Sequence, residues 1–160
     1  RKGNPVIVGL YGNRGVGKDT VADILVRHHG FTKVAFADAL RAEVSEAFGV
    51  NVTLLVDRDT KETPLEDLQI ARCDDPAFRA LFEDQSKPRS PREVLQKWGT
   101  EYRRASDTLY WHKKLLAEIP DQAPVVIPDM RFPDEYWLVR KSLRGYAAWG
   151  NPFLSRQNHG

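Results

Sequence analysis

A chain of 160 residues, 41% hydrophobic and 29% charged, has the size and balance of a globular domain with a sizeable core. A net charge of +2 and a single cysteine exclude a disordered polyelectrolyte, an intrachain disulfide framework and a protein living on a nucleic-acid backbone. No run reads as a membrane span or a signal peptide, so the expected compartment is the cytoplasm, with no membrane partner and no stable nucleic-acid partner.

The first legible element is a short β-branched run, Val6–Tyr11, which reads as a buried parallel strand ending in a glycine cluster. Val21, Ile24 and Leu25 then recur at helical spacing up to a stop at Gly30. Lys33–Phe36 reads as a second strand, and a helix from about Ala39 to Phe48 ends at Gly49. This strand–helix alternation predicts an α/β fold of three layers around a parallel sheet. Residues 51–90 carry many charges, several prolines and weak periodicity, and are read as a mobile helical insertion within a single domain spanning 1–160. Ser90, Pro91 and Glu93 form a helix start with a capping box. A further helix is expected over Thr108–Ile119, a third strand over Pro124–Ile127 with Asp129 just past its end, and a last helix from Pro133 to about Leu143. Between Gly145 and Gly160 a further strand and an adenine-side arginine are expected but not legible, because Trp149-Gly150-Asn151-Pro152 interrupts the pattern.

The chemistry is carried by Gly12-Asn13-Arg14-Gly15-Val16-Gly17-Lys18-Asp19-Thr20, placed between the first strand and the first helix. Glycines let the backbone curl until its N–H groups converge on an anion, the following helix adds its positive end, and Lys18 supplies a mobile charge for the β- and γ-phosphates. This is a Walker A loop of a P-loop NTPase-type fold, and its G-x-x-G-x-G order is not that of a dinucleotide-binding loop. One position departs: Asp19 stands where a Ser or Thr hydroxyl ordinarily meets Mg²⁺. A carboxylate is also a hard oxygen ligand, so Asp19 is a metal candidate, and its bland reading is an acid at a helix N-terminus. The four histidines show no ligand spacing.

Gly17–Thr20, Phe36-Ala37-Asp38-Ala39-Leu40, the block Pro91–Glu101 with its Gln-x-Trp-Gly-Thr-Glu, and Asp129-Met130-Arg131-Phe132-Pro133 together resemble the bacteriophage deoxynucleoside monophosphate kinases. The resemblance covers about Val6 to Leu143. It implies a phage-encoded enzyme of the host cytoplasm, a homodimer, which moves the γ-phosphate of ATP, with Mg²⁺, to a deoxynucleoside monophosphate. It further implies that the insertion at about 51–90, around Lys61 and Glu62, closes over the substrates and excludes water.

A monophosphate acceptor needs cations, and Arg92, Arg103, Arg104 and Arg131 are candidates, in a chain with 15 Arg against 9 Lys. Arg131 follows a strand end at the mouth of the sheet and is the strongest of them; its bland reading is a surface pair with Asp134 or Glu135. Arg103 and Arg104 are adjacent and cannot both face one site. Asp38, after the second strand, is placed to orient the acceptor phosphate or a metal-bound water, or else caps a helix. Asp129 has the position of a Walker B aspartate holding a Mg²⁺ water, or of a turn residue. Gln96 and Glu101 are candidates to hydrogen-bond the acceptor base and Trp98 to stack on it, with plain core as the alternative for Trp98. Three other functions compete: a kinase of another small acceptor, such as a dephospho-coenzyme A kinase, a P-loop NTPase coupled to nucleic acid, and a non-catalytic nucleotide-sensing module.

Overall fold

The computed structural model describes residues 6–12, 15, 17–120, 124–130 and the backbone of 147–149. The chain divides into two compact units, Arg1–Ala37 with His112–Gly160, and Asp38–Trp111.

The first unit is built on a parallel sheet of β1 (Ile7–Tyr11), β2 (Thr32–Lys33), β3 (Val125–Met130) and β4 (Ala147–Trp149) in the order β2-β3-β1-β4. β1 is central: Ile7, Val8 and Gly9 pair with Val125, Val126 and Ile127 on one side and with Ala147, Ala148 and Trp149 on the other. β3 is apolar from Val125 to Ile127 because both of its faces are covered there. Val125 and Ile127 join Ile7, Val34, Leu115 and Met130 in one cluster, while Val126 joins Leu10 and Ala22 in another. Helix α1 (Lys18–His29) turns Val21, Ala22 and Leu25 toward that second cluster, whereas Ile24, expected on the same stripe, is exposed. It stops at Gly30, whose φ of 68° lets its N–H reach the carbonyl of Leu25.

Two sequence expectations change here, and a third, a strand after Gly145, is met although the local pattern obscured it. β3 runs on to Met130, so Asp129 lies inside the strand and not beyond it. β2 is two residues long, although Val34 N still donates to Val126 O at 3.0 Å. β4 exists: three residues beside β1 were enough to add a strand that the sequence pattern hid. The helix expected from Pro133 to Leu143 lies outside the described residues.

The second unit contains most of α2 (Phe36–Phe48), then α3 (Val52–Val56), two single 3₁₀ turns (Glu66–Leu68 and Ile70–Arg72), α4 (Pro76–Arg79), α5 (Pro91–Gln96) and a π-helix (Lys97–Arg104), with α6 (Tyr110–Glu118) beginning at its end. Its core gathers Val44, Phe48, Leu55, Leu68, Ile70, Phe78, Val94 and Trp98. Phe78 has ring neighbours on several sides, with centroids 4.7 Å from Trp98, 5.1 Å from Phe82 and 5.4 Å from Tyr102. Residues 51–90 supply Leu55, Leu68, Ile70 and Phe78 to this core. Their weak periodicity has a plain cause, since helices of four and five residues and single 3₁₀ turns are too short to show one. Local caps hold these pieces: Asn51 accepts from Thr53 N, and Asp75 from Ala77 N and Phe78 N. Ser90 caps α5 by accepting from Glu93 N at 3.2 Å, but Glu93 turns its carboxylate to Arg89 at 2.6 Å. Only half of the expected capping box forms, because the charged partner four residues back is the stronger one.

Candidate active site

The connection leaving β1 leads to β2 on one side of the sheet, whereas β4, which follows β3, lies on β1's other side. The carboxyl ends of β1 and β3 therefore flank the point where the strand order reverses, which is where open parallel sheets bind ligands. Tyr11 and Met130 pair at this edge. The glycine-rich loop starts one residue later, and Asp129 is one residue back along β3.

In that loop Gly12, Gly15 and Gly17 all have positive φ, at 149°, 82° and 94°. A side chain at Gly17 would be strained by its left-handed backbone, and at Gly15 likewise although the space around it is open. Gly17 is the N-cap of α1 and offers no side chain to the first-turn amides. Those donors remain for an outside acceptor, at the positive end of a twelve-residue helix. Lys18 folds back, its Nζ donating to the carbonyl of Gly12 at 2.5 Å. Asp19 and Thr20 are exposed in the first turn. Asn13, Arg14 and Val16 lie outside the described residues, as does Arg131.

Asp129 spans the start of α2: its Oδ1 accepts from Phe36 N at 3.0 Å and its Oδ2 from Ala37 N at 2.8 Å. It thereby does for α2 what an N-cap does, from a different strand. This corrects two expectations together. α2 begins at Phe36 and not near Ala39, and the capping alternative for Asp38 falls to Asp129. Asp38 is exposed in the first turn, 3.4 Å from Arg41.

The other expected residues belong to the second unit. Lys61, Glu62 and Arg92 are brought together across thirty residues: Arg92 N donates to Lys61 O at 2.9 Å, and the Arg92 guanidinium meets Glu62 at 2.5 Å. Gln96 is exposed at the end of α5, Glu101 is exposed and paired with Lys97 at 2.7 Å, and Arg104 is half-buried. Trp98 is 2% exposed, packed on Phe78 and Tyr102, with its Nε1 donating to Glu43 at 2.9 Å. That burial replaces the expected stacking on a base with a core role. Arg103 also turns to Glu43, at 3.0 Å. A surface concavity of about 780 Å³ in this unit is lined by residues including Asn51, Asp57, Asp67 and Arg72, and by none of the expected site residues. Among the described residues no group of three or more His, Cys, Asp or Glu could hold a metal ion, and no helix is long and apolar enough to cross a membrane.

Over 157 aligned residues the chain is 30% identical to a protein of Acanthamoeba polyphaga mimivirus provisionally named a deoxynucleotide monophosphate kinase, covering 88% of this chain and 71% of that one. The chain belongs to the deoxynucleotide monophosphate kinase family. No protein-family model matches it. The relative comes from a mimivirus, and it gives no support to the bacteriophage source that the resemblance implied.

Within this family member, sequence reasoning missed one carboxylate, Glu43, and the capping role of another, Asp129. Glu43 carried a readable signal: it interrupts the apolar stripe Leu40, Val44, Ala47 and Phe48, where an acid must find partners. The bond of Asp129 to α2 spans ninety-two residues and more, and left no local trace.

Proposed function

We propose that the protein is a phosphotransferase that moves the γ-phosphate of ATP to a deoxynucleoside monophosphate. The observation that carries this reading is the loop after β1, with its glycines at positive φ leading into Lys18 and the uncapped start of α1; kinship with a deoxynucleotide monophosphate kinase supports it. In this reading Gly12–Gly17 is a P-loop whose backbone amides, with those of Lys18, Asp19 and Thr20, cradle the triphosphate. Lys18 leaves the Gly12 carbonyl for the β- and γ-phosphates, trading one neutral acceptor for charged ones. The acceptor phosphate is fixed by Arg131 and Arg92, for which it competes with Glu62. Lys61, Asp38, Gln96, Glu101 and Arg104 complete acceptor binding, and residues 51–90 shield the reaction from water.

Mg²⁺ is ordinarily held by one or two carboxylates, waters and the nucleotide's own phosphates, so a protein cage of three acids is not required. The exposed carboxylate of Asp19 beside the P-loop fits that role, and Asp129 fits it through water while still capping α2. The ion, when bound, offsets negative charge on the transferred group.

Asp19→Asn is expected to raise the Mg²⁺ concentration needed for half-maximal rate several-fold with little change in the ATP requirement, because a hard cation prefers the charged oxygen. Asp129→Asn is expected to do the same and also to lower the melting temperature, since the amide has one acceptor oxygen where the carboxylate uses two. Titrating Mg²⁺ at saturating ATP checks both, and an unchanged requirement in Asp19→Asn leaves that residue as a helix-end acid.

The reading itself is tested by measuring ATP consumption with each deoxynucleoside monophosphate in turn. Acceptor-dependent turnover is expected. Turnover without acceptor that DNA stimulates would favour a coupled NTPase, and turnover only with another small acceptor would favour a different kinase. A thermal-shift panel gives a second readout, as a ligand at 100 times its dissociation constant stabilises by about 2.7 kcal/mol.

A further inference from the structure

We propose that Glu43 is a positioning residue for acceptor binding, its buried carboxylate fixing the π-helical register of Lys97–Arg104 and so the presentation of Gln96, Glu101 and Arg104. The proposal rests on the assignment of those three residues to the acceptor.

Glu43 is 8% exposed on the apolar stripe of α2. A carboxylate is costly there unless strong donors reach it. Trp98 Nε1 and Arg103 Nε both donate to its Oε1, at 2.9 and 3.0 Å, and the Tyr110 hydroxyl donates to its Oε2. The Arg103 guanidinium lies 5.2, 4.8 and 4.9 Å from the ring centroids of Trp98, Tyr102 and Tyr110, a cation enclosed by aromatic faces. Burial, and then the Glu43 carboxylate, push the Tyr110 hydroxyl up to about 12, so it remains a donor at any working pH. Tyr102 extends the network to the cap of α4, donating to Asp75 at 2.7 Å.

Trp98 and Arg103 are five residues apart. In an α-helix, at about 100° per residue, their side chains would diverge by about 140°, and one carboxylate could not take both. A π-helix closes its bonds between residues five apart, as Ala105 N does to Thr100 O, and so brings the pair onto one face. Trp98 is held in the core by Phe78, and Arg103 must meet a buried anion; the wide turn satisfies both demands. Trp111 Nε1, donating to Gly99 O at 3.0 Å, holds the same segment from α6. With the anion gone, the α register becomes available and the residues of this segment rotate relative to α5.

The experiment compares the full chain with Glu43→Gln and with Glu43→Leu/Arg103→Leu, which removes the buried carboxylate together with its half-buried cation and is expected to recover part of the thermal stability lost in Glu43→Gln. Hydrogen exchange over 97–104 reads the register. Steady-state kinetics below the lowest melting temperature read acceptor KM, ATP KM and kcat. In both variants exchange over 97–104 should quicken and acceptor KM rise ~10-fold or more, the scale on which small misplacements act, with ATP KM within about twofold. Should Glu43→Gln not fold, Tyr110→Phe, which removes one donor and no charge, should raise acceptor KM about threefold. An acceptor KM that returns to the wild-type value together with the melting temperature in the double variant overturns the proposal, as does unchanged exchange. Wild-type transfer with an unmoved acceptor KM in every variant defeats this proposal alone. No transfer by the wild type to any monophosphate defeats the kinase reading, and this proposal with it.

Discussion

Lys18→Ala is expected to lower phosphoryl transfer about 10³-fold or more while the melting temperature stays within a few degrees of wild type. Lys18 opens α1 half-exposed, outside the clusters that pack on the sheet, and its hydrogen bond is to a loop carbonyl. Nothing in the core is lost with it. In the proposed mechanism its ammonium is the mobile charge for the γ-phosphate, where negative charge shifts during transfer and a positioned cation is worth several kcal/mol. Lys18→Arg should remain far below wild type, because a planar fork cannot fill the place of a compact point charge. The assay is ATP consumption at saturating acceptor, with circular dichroism and a melting curve run alongside. Activity within tenfold of wild type would remove the P-loop from the mechanism.

Trp98→Ala should cost roughly 3–5 kcal/mol of stability, the range for emptying a large aromatic site in a core. The ring is 2% exposed and sits 4.7 Å from the Phe78 ring and 5.2 Å from that of Tyr102, so the hole cannot collapse without moving neighbours. The loss also deprives Glu43 of the indole donor, which adds to the cost. Trp98→Phe separates the two effects: it keeps most of the packing and loses the N–H, for about 1–3 kcal/mol. Urea unfolding of the three proteins measures both steps. A loss below about 1 kcal/mol for Trp98→Ala would mean that the residue is not a core anchor, and would return it to the list of groups open to a base.

What the sequence revealed and what it hid differ by the range of the interactions involved. β1, α1 and the loop between them are legible because each is specified within a few residues, by β-branched apolar residues, by 3.6-residue spacing and by glycines followed by a lysine. The start of α5 is legible for the same reason, through Ser90 and Pro91. β2 shrank and β4 emerged because strand pairing depends on a neighbour far along the chain, and a two- or three-residue strand has no period of its own. Asp129 looked like the end of a strand because the cap it makes to Phe36 and Ala37 is invisible without the fold. Trp98 was ambiguous by nature, since an indole suits a base and a core equally, and only the burial of its ring separates the two. The π-helix follows a sequence that starts as an ordinary helix, and its cause, Glu43, is more than fifty residues upstream.

The two units also differ in when they can be completed during synthesis. Asp38–Trp111 is one unbroken stretch, so all of it is available as soon as Trp111 has emerged from the ribosome. The sheet is not. β1 is made first, but its partners are Val125–Ile127 and Ala147–Trp149, more than a hundred residues later. Such distant parallel pairing is slow, because the chain must close a long loop before any strand contact rewards it. Until those partners are made, Ile7 and Leu10, both buried in the folded protein, belong to a strand with two open edges, which is the arrangement that invites pairing with another nascent chain. The folding hazard of this protein therefore lies in β1, and it ends only when β4 arrives.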